Sequence, residues 1–244
     1  MKNTINQFSF YLLAILFLIP FSGACQNYDK TSIKGEGNVS TKTRSVEVFH
    51  SVEVSSGLNL YISQGKTQSV EVKADENFHD KIKTEVKNGV LKIYTKNWLK
   101  KASAKDIYVT VTELKALGAS GGSNIKSKGE LNCESFSGRM SGGSDVTVHI
   151  NATTTDWAIS GAADVNLSGK AESAEFNVSG ASDVNASKFL VSNCTANVSG
   201  ASDVNLHVIE NLKANVSGAS DVSYSGNPKN VIKKLSGASD LNSK

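Results

Sequence analysis

From residue 45 onward the chain alternates apolar and polar positions with a period of two, and it nowhere sustains the three-and-four spacing of a helical face. The alternation predicts strands over 46–54, 58–62, 70–72, 90–94 and 107–111, and leaves 75–82 as the one segment suited to a helical turn. Past residue 115 the pattern becomes a repeat. SGGSNI starts at Ser120, SGGSDV at Ser141, SGAADV at Ser160, SGASDV at Ser179, Ser199 and Ser217, and SGASDL at Ser236. The Asn or Asp of these seven motifs falls at 124, 145, 164, 183, 203, 221 and 240, at intervals of 21, 19, 19, 20, 18 and 19. Fixed-period similarity of this kind decides architecture before any propensity argument.

Each unit reads strand, turn, strand. After the marker the inward residues are Val146 and Val148, Val165 and Leu167, Val184 and Ala186, Val204 and Leu206, Val222 and Tyr224. Before it they are Trp157 and Ile159, Phe176 and Val178, Ala196 and Val198, Ala214 and Val216. Ser, Asn, Thr and Asp lie between them, and a Gly recurs where the chain must corner without a Cβ in the way. One such coil cannot bury its own apolar face, so coils stack, each strand pairing with the same strand of the next coil about 4.8 Å away. The expected fold is all-β: a right-handed parallel β-helix (solenoid) with coils of about 19 residues and a less regular N-terminal β region. A propeller blade needs about 40 residues, twice this period. The SSGLNL at 55–60 reads as a degenerate copy of the later motif, so 45–115 is expected to form irregular early coils of the same solenoid, or the cap such an array needs, with the repeats at 116–244. Lys233 and Lys234 are placed to discourage pairing at the final edge.

Composition narrows the class. The chain has 244 residues with Lys+Arg 26 against Asp+Glu 23, a balance that excludes a dedicated nucleic-acid binder. Residues 26–115 carry 15 basic and 11 acidic side chains and residues 116–244 carry 10 and 12, a mild asymmetry. At the N-terminus Lys2 precedes an apolar run at 8–21, followed by Ser22, Gly23, Ala24 and Cys25. This is the order of a secretory signal, assigned to 1–24, and it is too short for a convincing membrane span. Ser22 and Ala24 suit an ordinary signal peptidase, while the same four residues resemble a relaxed lipobox with Cys25 as the lipidated residue. Both readings cut before Cys25, and 25–44 becomes a tether. The expected location is the outer membrane as a lipoprotein, or the periplasm or exterior, with any membrane attachment through Cys25.

The motifs GEGNV at 35–39, Arg44, Val46, Phe49, Val52, Val54, Gly57, Gln64, the VEVKADEN of 70–77, the KIKTE starting at Lys81 and the SGASDV series resemble the putative auto-transporter adhesin, head GIN domain family of Bacteroidota. The resemblance covers nearly all of the chain beyond the signal. It implies an exported, secreted or lipid-anchored β-helical cell-envelope protein of adhesin type, and it brings no catalytic residues with it.

The candidate sites are few. The column Asp145, Asp164, Asp183, Asp203, Asp221 and Asp240, with Asn124 at its head, suits turn capping, in which each carboxylate accepts backbone N–H groups. The same column is a weaker candidate for chelating Ca²⁺. Gly118, Ser120 and Gly122 spell GxSxG, but at a repeat corner instead of the strand-to-helix turn a nucleophile elbow requires. His50, His79, His149 and His207 show no metal spacing and are expected at the surface, and Cys133 and Cys194, three coils apart, are not expected to pair. Lys96, Trp98, Lys100, Lys101 and Lys105 form the one basic, aromatic-bearing stretch. No cofactor is expected. The function these observations point to is non-catalytic binding of a glycan or other surface ligand by the repeat faces. A structural or signalling envelope role and a polysaccharide-acting β-helix enzyme are the alternatives.

Overall fold

The computed structural model describes residues 31–244, so the signal segment and Cys25 lie outside the described residues. The short N-terminal strands are β1 (Ser32–Lys34), β2 (Val39–Thr43), β3 (Ser51–Val54), β4 (Asn59–Gln64), β5 (Ser69–Asp75), β6 (Ile82–Lys87), β7 (Val90–Thr95), β8 (Trp98–Lys100) and β9 (Lys105–Val111). The repeat region holds β10 (Ala116–Ala119), β11 (Asn124–Ser127), β12 (Leu131–Met140), β13 (Asp145–Ile159), β14 (Asp164–Val178), β15 (Asp183–Val198), β16 (Asp203–Val216), β17 (Asp221–Ser225), β18 (Asn230–Leu235) and β19 (Asp240–Ser243). A single turn of 3₁₀ helix, Glu76–Phe78, occupies the segment suited to a helical turn.

Every strand pair from β10 to β19 is parallel and in register beside the corners, with shifts of register within β14–β15 and β15–β16, which makes this region a parallel β-solenoid. The marker residues stack as Asn124, Asp145, Asp164, Asp183, Asp203, Asp221 and Asp240. The inward residues read from the alternation are buried, from Val146 at 1% exposure to Val222 at 0%, with Tyr224 at the last coil only partly covered. Trp157 is the largest buried side chain, between Phe136 (5.1 Å between centroids) and Phe176 (6.5 Å, near-parallel). Its column runs Gly138, Trp157, Phe176, Ala196, Ala214, Lys233. A Cβ on Gly138 would lie 2.2 Å from the indole, so this glycine makes room for the ring.

The N-terminal region does not stack in chain order. The coil formed by β3 and β4 lies directly against β10 and β11, with Leu117 opposite Val52 and Ile125 opposite Leu60. Beneath it come β7 and β9, parallel to β3 and β4. Two antiparallel additions then end the solenoid: β6 on β7, joined by the two-residue Asn88–Gly89 turn with φ of 52° and 72°, and β5 on β9, followed by β2 on β5. At the other end β18 is exposed along its whole length, and Lys233 occupies the inward column there, an arrangement that hinders strand addition.

The corners explain the motif. At the corners from Ser160 onward the first Ser N–H, the Ala N–H and the Asp N–H donate to carbonyls of the preceding coil: Ser199 to Val178, Ala201 to Gly180 (2.8 Å) and Asp203 to Ser182. The second Ser is buried, at 0% exposure for Ser144, Ser182, Ser202 and Ser220, and its hydroxyl accepts the remaining N–H of the coil before. Ser182 N–H donates to Ser202 Oγ and Ser202 N–H to Ser220 Oγ, both at 3.3 Å. The hydroxyl in turn donates within its own corner, as Ser144 does to Ser141 O at 2.8 Å. The turn-capping role expected of the Asp carboxylates therefore belongs to this buried Ser, because only a side chain on the inner side of the corner reaches the buried N–H.

Gly200 has φ of +92°, and a Cβ on it would lie 2.2 Å from the Gly180 carbonyl oxygen. Gly129 has a similar φ of +87° but open space around it. Gly129→Ala is expected to cost about 1–2 kcal/mol from backbone conformation alone, and Gly200→Ala to cost that and at least about 2 kcal/mol more through the backbone clash. Equilibrium unfolding of the two variants in urea measures the difference; equal losses would mean that close approach does not fix the corner.

Candidate functional site

Because alternate residues point inward to the core, the outward columns present the long faces of the solenoid to a ligand. One sheet face carries the Asp column, extended toward the cap by Asn124, Asn59 and Asp106. Asn124 Nδ2 donates to Asn59 Oδ1 (3.0 Å) and Asn59 Nδ2 to Asp106 Oδ1 (2.8 Å). Among the described residues the six repeat carboxylates make neither a hydrogen bond nor a salt bridge within the chain, and no group of three or more His, Cys, Asp and Glu is gathered as for a metal ion. Two residues along, the next outward column includes Asn166, Asn185 and Asn205 and ends in Tyr61 and Tyr108, stacked at 5.0 Å with Lys128 Nζ 4.8 Å from the Tyr61 ring centre. Burial, then the neighbouring Asp106 and Tyr108, push the Tyr61 hydroxyl up from its ordinary value.

A second face carries two grooves running parallel to the axis past six coils. The first, about 720 Å³, has rungs of an outward residue, a core aliphatic and a corner Ser, such as Asn197, Val198 and Ser199. The second, about 650 Å³, includes Asn193, Thr195, Asn211 and Lys213. Each groove has its own amide ladder. Asn215 Nδ2 donates to Asn197 Oδ1 (2.8 Å) and Asn197 Nδ2 to Asn177 Oδ1 (2.9 Å). Asn230 and Asn211 repeat the arrangement toward Asn193. Between the ladders the column Asp156, Glu175, Thr195, Lys213, Ile232 passes from acid through hydroxyl and base to aliphatic.

The family model described as "Putative auto-transporter adhesin, head GIN domain" matches residues 48–228. The chain belongs to this head GIN domain family. Its fold is shared with solved structures of low identity. A putative adhesin from Bacteroides fragilis superposes with a TM-score of 0.83 at 18% identity, covering 87% of this chain and 100% of that one. A protein from Parabacteroides distasonis described as a putative lipid binding protein gives 0.71 at 21%, covering 88% and 100%, and a putative adhesin from Parabacteroides merdae gives 0.68 at 20%, covering 88% and 99%. No curated protein matches the chain.

The remaining sequence candidates separate in this head GIN domain. Ser120 lies at the first repeat corner, where its N–H donates to Val54 O, and no histidine is joined to it. Cys133 and Cys194 are both free; burial pushes the Cys194 thiol up to about 12. His149 and His207 meet Ser168 and Ser225 through Nδ1 at 3.1 and 3.2 Å. His79, expected at the surface, is instead buried at 2% exposure in the cap, because the 3₁₀ turn tucks it under β2. Its Nε2 is 2.9 Å from Ser40 Oγ, which also bonds Glu76, and Glu76 pairs with Lys42. Its Nδ1 faces Arg44, whose guanidinium donates to the His79 carbonyl at 2.7 Å. A cation stands where a catalytic histidine needs an orienting carboxylate, so this Ser–His pair is a strap holding β2 to the cap and not a nucleophile. Burial, with Lys42 and Arg44 alongside, holds the His79 imidazole below its ordinary range. Asp75, also buried, accepts N–H groups of Gly37, Ser103 and Ala104; burial pushes its carboxyl up, but these bonds outweigh that and leave it low.

Two outcomes follow from these geometries. Stacked like charges in a parallel ladder repel, whereas Asn in the same column extends an amide ladder; Asp183→Asn is therefore expected to stabilise the fold by about 0.5 kcal/mol at low ionic strength, less in high salt. Thermal unfolding with and without millimolar Ca²⁺ checks it, since a calcium-dependent rise abolished by Asp183→Asn would turn the column into a metal site. His79, depressed in the fold, binds its proton more readily when unfolded, so stability falls as pH drops through about 6.5 toward its lowered value. Urea unfolding of His79→Gln across this window should lose that slope, while the loss linked to Asp75 persists below about pH 4.

Proposed function

We propose that the chain is an exported, non-catalytic cell-envelope protein of adhesin type that binds an extended polysaccharide along the two grooves. The observation that carries this reading is the pair of amide ladders. Each Asn spends one N–H and one lone pair on its neighbour and keeps a donor and an acceptor for a ligand, and the ladder fixes its rotamer in advance. Binding then orders few side chains, so weak contacts repeated over several coils add up without the usual entropic loss. A polymer of hydroxyl-bearing units is the ligand chemistry that suits a row of amides and hydroxyls spaced at about 4.8 Å. The amide donors and acceptors of both ladders recur from coil to coil, which supports binding over catalysis. Family membership and the secretory order of the N-terminal residues support export.

Affinity electrophoresis and a glycan array test the reading. Retardation by at least one neutral or acidic polysaccharide is expected, weakened about tenfold by Asn197→Leu, which breaks the ladder at its centre on an outward position. Absence of retardation across the panel, or retardation unchanged in Asn197→Leu and Asn211→Leu, would overturn it.

A further inference from the structure

The ribbon of β1 and β8 is set apart from the large sheet, pairing only with itself: Ser32 with Trp98, Ile33 with Leu99, Lys34 with Lys100. Ile33 and Leu99 turn inward against the core, so Ser32, Lys34, Trp98 and Lys100 share the outer side. Trp98 is 60% exposed, and it is the one aromatic among the large apolar side chains exposed in the described residues. Lys34, Lys96, Lys100 and Lys101 are exposed around it, and none of them forms a salt bridge among the described residues. Glu36 is the one acid in 31–38 and 96–105. Lys105, grouped with these in the sequence, belongs to β9 and lies over the Gly57 corner instead.

The chain reaches this ribbon directly from its N-terminal apolar segment. Thr31 follows Cys25 by six residues, a reach of at most about 20 Å even when fully extended. Where Cys25 carries lipid, that attachment brings the ribbon to the bilayer surface.

We propose that the β1–β8 ribbon is a membrane-contact surface, with Trp98 seated at the bilayer interface and Lys34, Lys96, Lys100 and Lys101 engaging anionic phospholipid headgroups. An indole places its apolar body among acyl chains and its N–H among headgroups, and unpaired lysines beside a tether are drawn to a negative leaflet. The contact orients the molecule. The capped end faces the membrane, the solenoid axis points away, and the two grooves stand clear of the surface. The lysines lie within the short reach of the anchor, which keeps an anionic leaflet at high local concentration and favours lipid over a soluble anionic polymer as the partner.

Vesicle binding of the chain from Gln26 onward, which contains every described residue and carries no lipid, tests this independently of any glycan. Trp157 is buried, so a blue shift of tryptophan emission on adding vesicles reports Trp98. A shift with phosphatidylcholine–phosphatidylglycerol vesicles is expected, small with phosphatidylcholine alone and reversed in about 0.5 M salt. Lys100→Gln with Lys101→Gln should lower the partition constant about twentyfold in co-sedimentation, and Trp98→Ser should lower it several-fold while leaving the salt dependence in place. The wild-type salt dependence stands on its own should either variant fold poorly. No binding to the anionic vesicles, binding indifferent to the lysine changes, or binding to dextran sulfate without binding to vesicles would each overturn the proposal.

Discussion

The whole solenoid depends on one close approach, the corner at which the backbone of each coil rests on the backbone of the one before. The Ala N–H reaches the Gly carbonyl of the preceding coil at 2.8 Å, and it can do so only because the next coil's glycine presents no Cβ to that same oxygen. With the approach secured, the hydrogen-bond ladder continues around the corner instead of breaking there, and the buried Ser disposes of the one N–H left over. In-register stacking of the positions flanking the corner follows: Val on Val, Asn on Asn, Asp on Asp. A single larger residue at the corner would push two coils apart and misalign all of their columns together.

That dependence explains why the fold is so legible in the sequence. A glycine needed at the same point in every coil appears at a fixed period, and the residues flanking each corner have their side fixed by alternation counted from that corner. Val165, Leu167, Phe176 and Val178 are readable as core for this reason alone. The cap follows a different logic. Its coil of β3 and β4 is recognisable from the degenerate SSGLNL, but β7 and β9 stack beneath it although they come later in the chain, and alternation carries no information on which strand is whose neighbour. One local signal was available there: Asn88–Gly89 flanked by alternating residues is a two-residue hairpin turn, which β6 and β7 form.

The candidate sites were legible in proportion to how local their chemistry is. The Asp column appears in the sequence because it belongs to the repeat, yet its role does not, since an outward carboxylate and an inward hydroxyl one residue apart look equally suited to capping until the corner fixes their sides. His79 could not be read as buried, because the groups that enclose it come from Ser40, Lys42 and Arg44, more than thirty positions away and antiparallel through β5. The Tyr61–Tyr108 stack likewise requires the pairing of β4 with β9 across the intervening hairpin segments.

Inner and outer columns answer to different demands. Inside, each position is constrained by its neighbours above and below, as when Gly138 yields volume to Trp157. Outside, nothing in the packing dictates the residue, so an outward column that stays constant from coil to coil calls for a separate cause. For the groove asparagines the ladder itself is a cause, since each amide satisfies the next. For the aspartates it is not: folding gains nothing from six stacked carboxylates that bond to nothing among the described residues, and their repulsion works against the stack. The acid column and the changing column between the amide ladders, Asp156, Glu175, Thr195, Lys213 and Ile232, are therefore two outward rows that the fold leaves unexplained. The first gives the surface a charge of one sign along its length. The second gives it a contact that changes along the axis from acid to base to aliphatic, so a polymer in the grooves would meet a distinct register instead of sliding freely along identical coils.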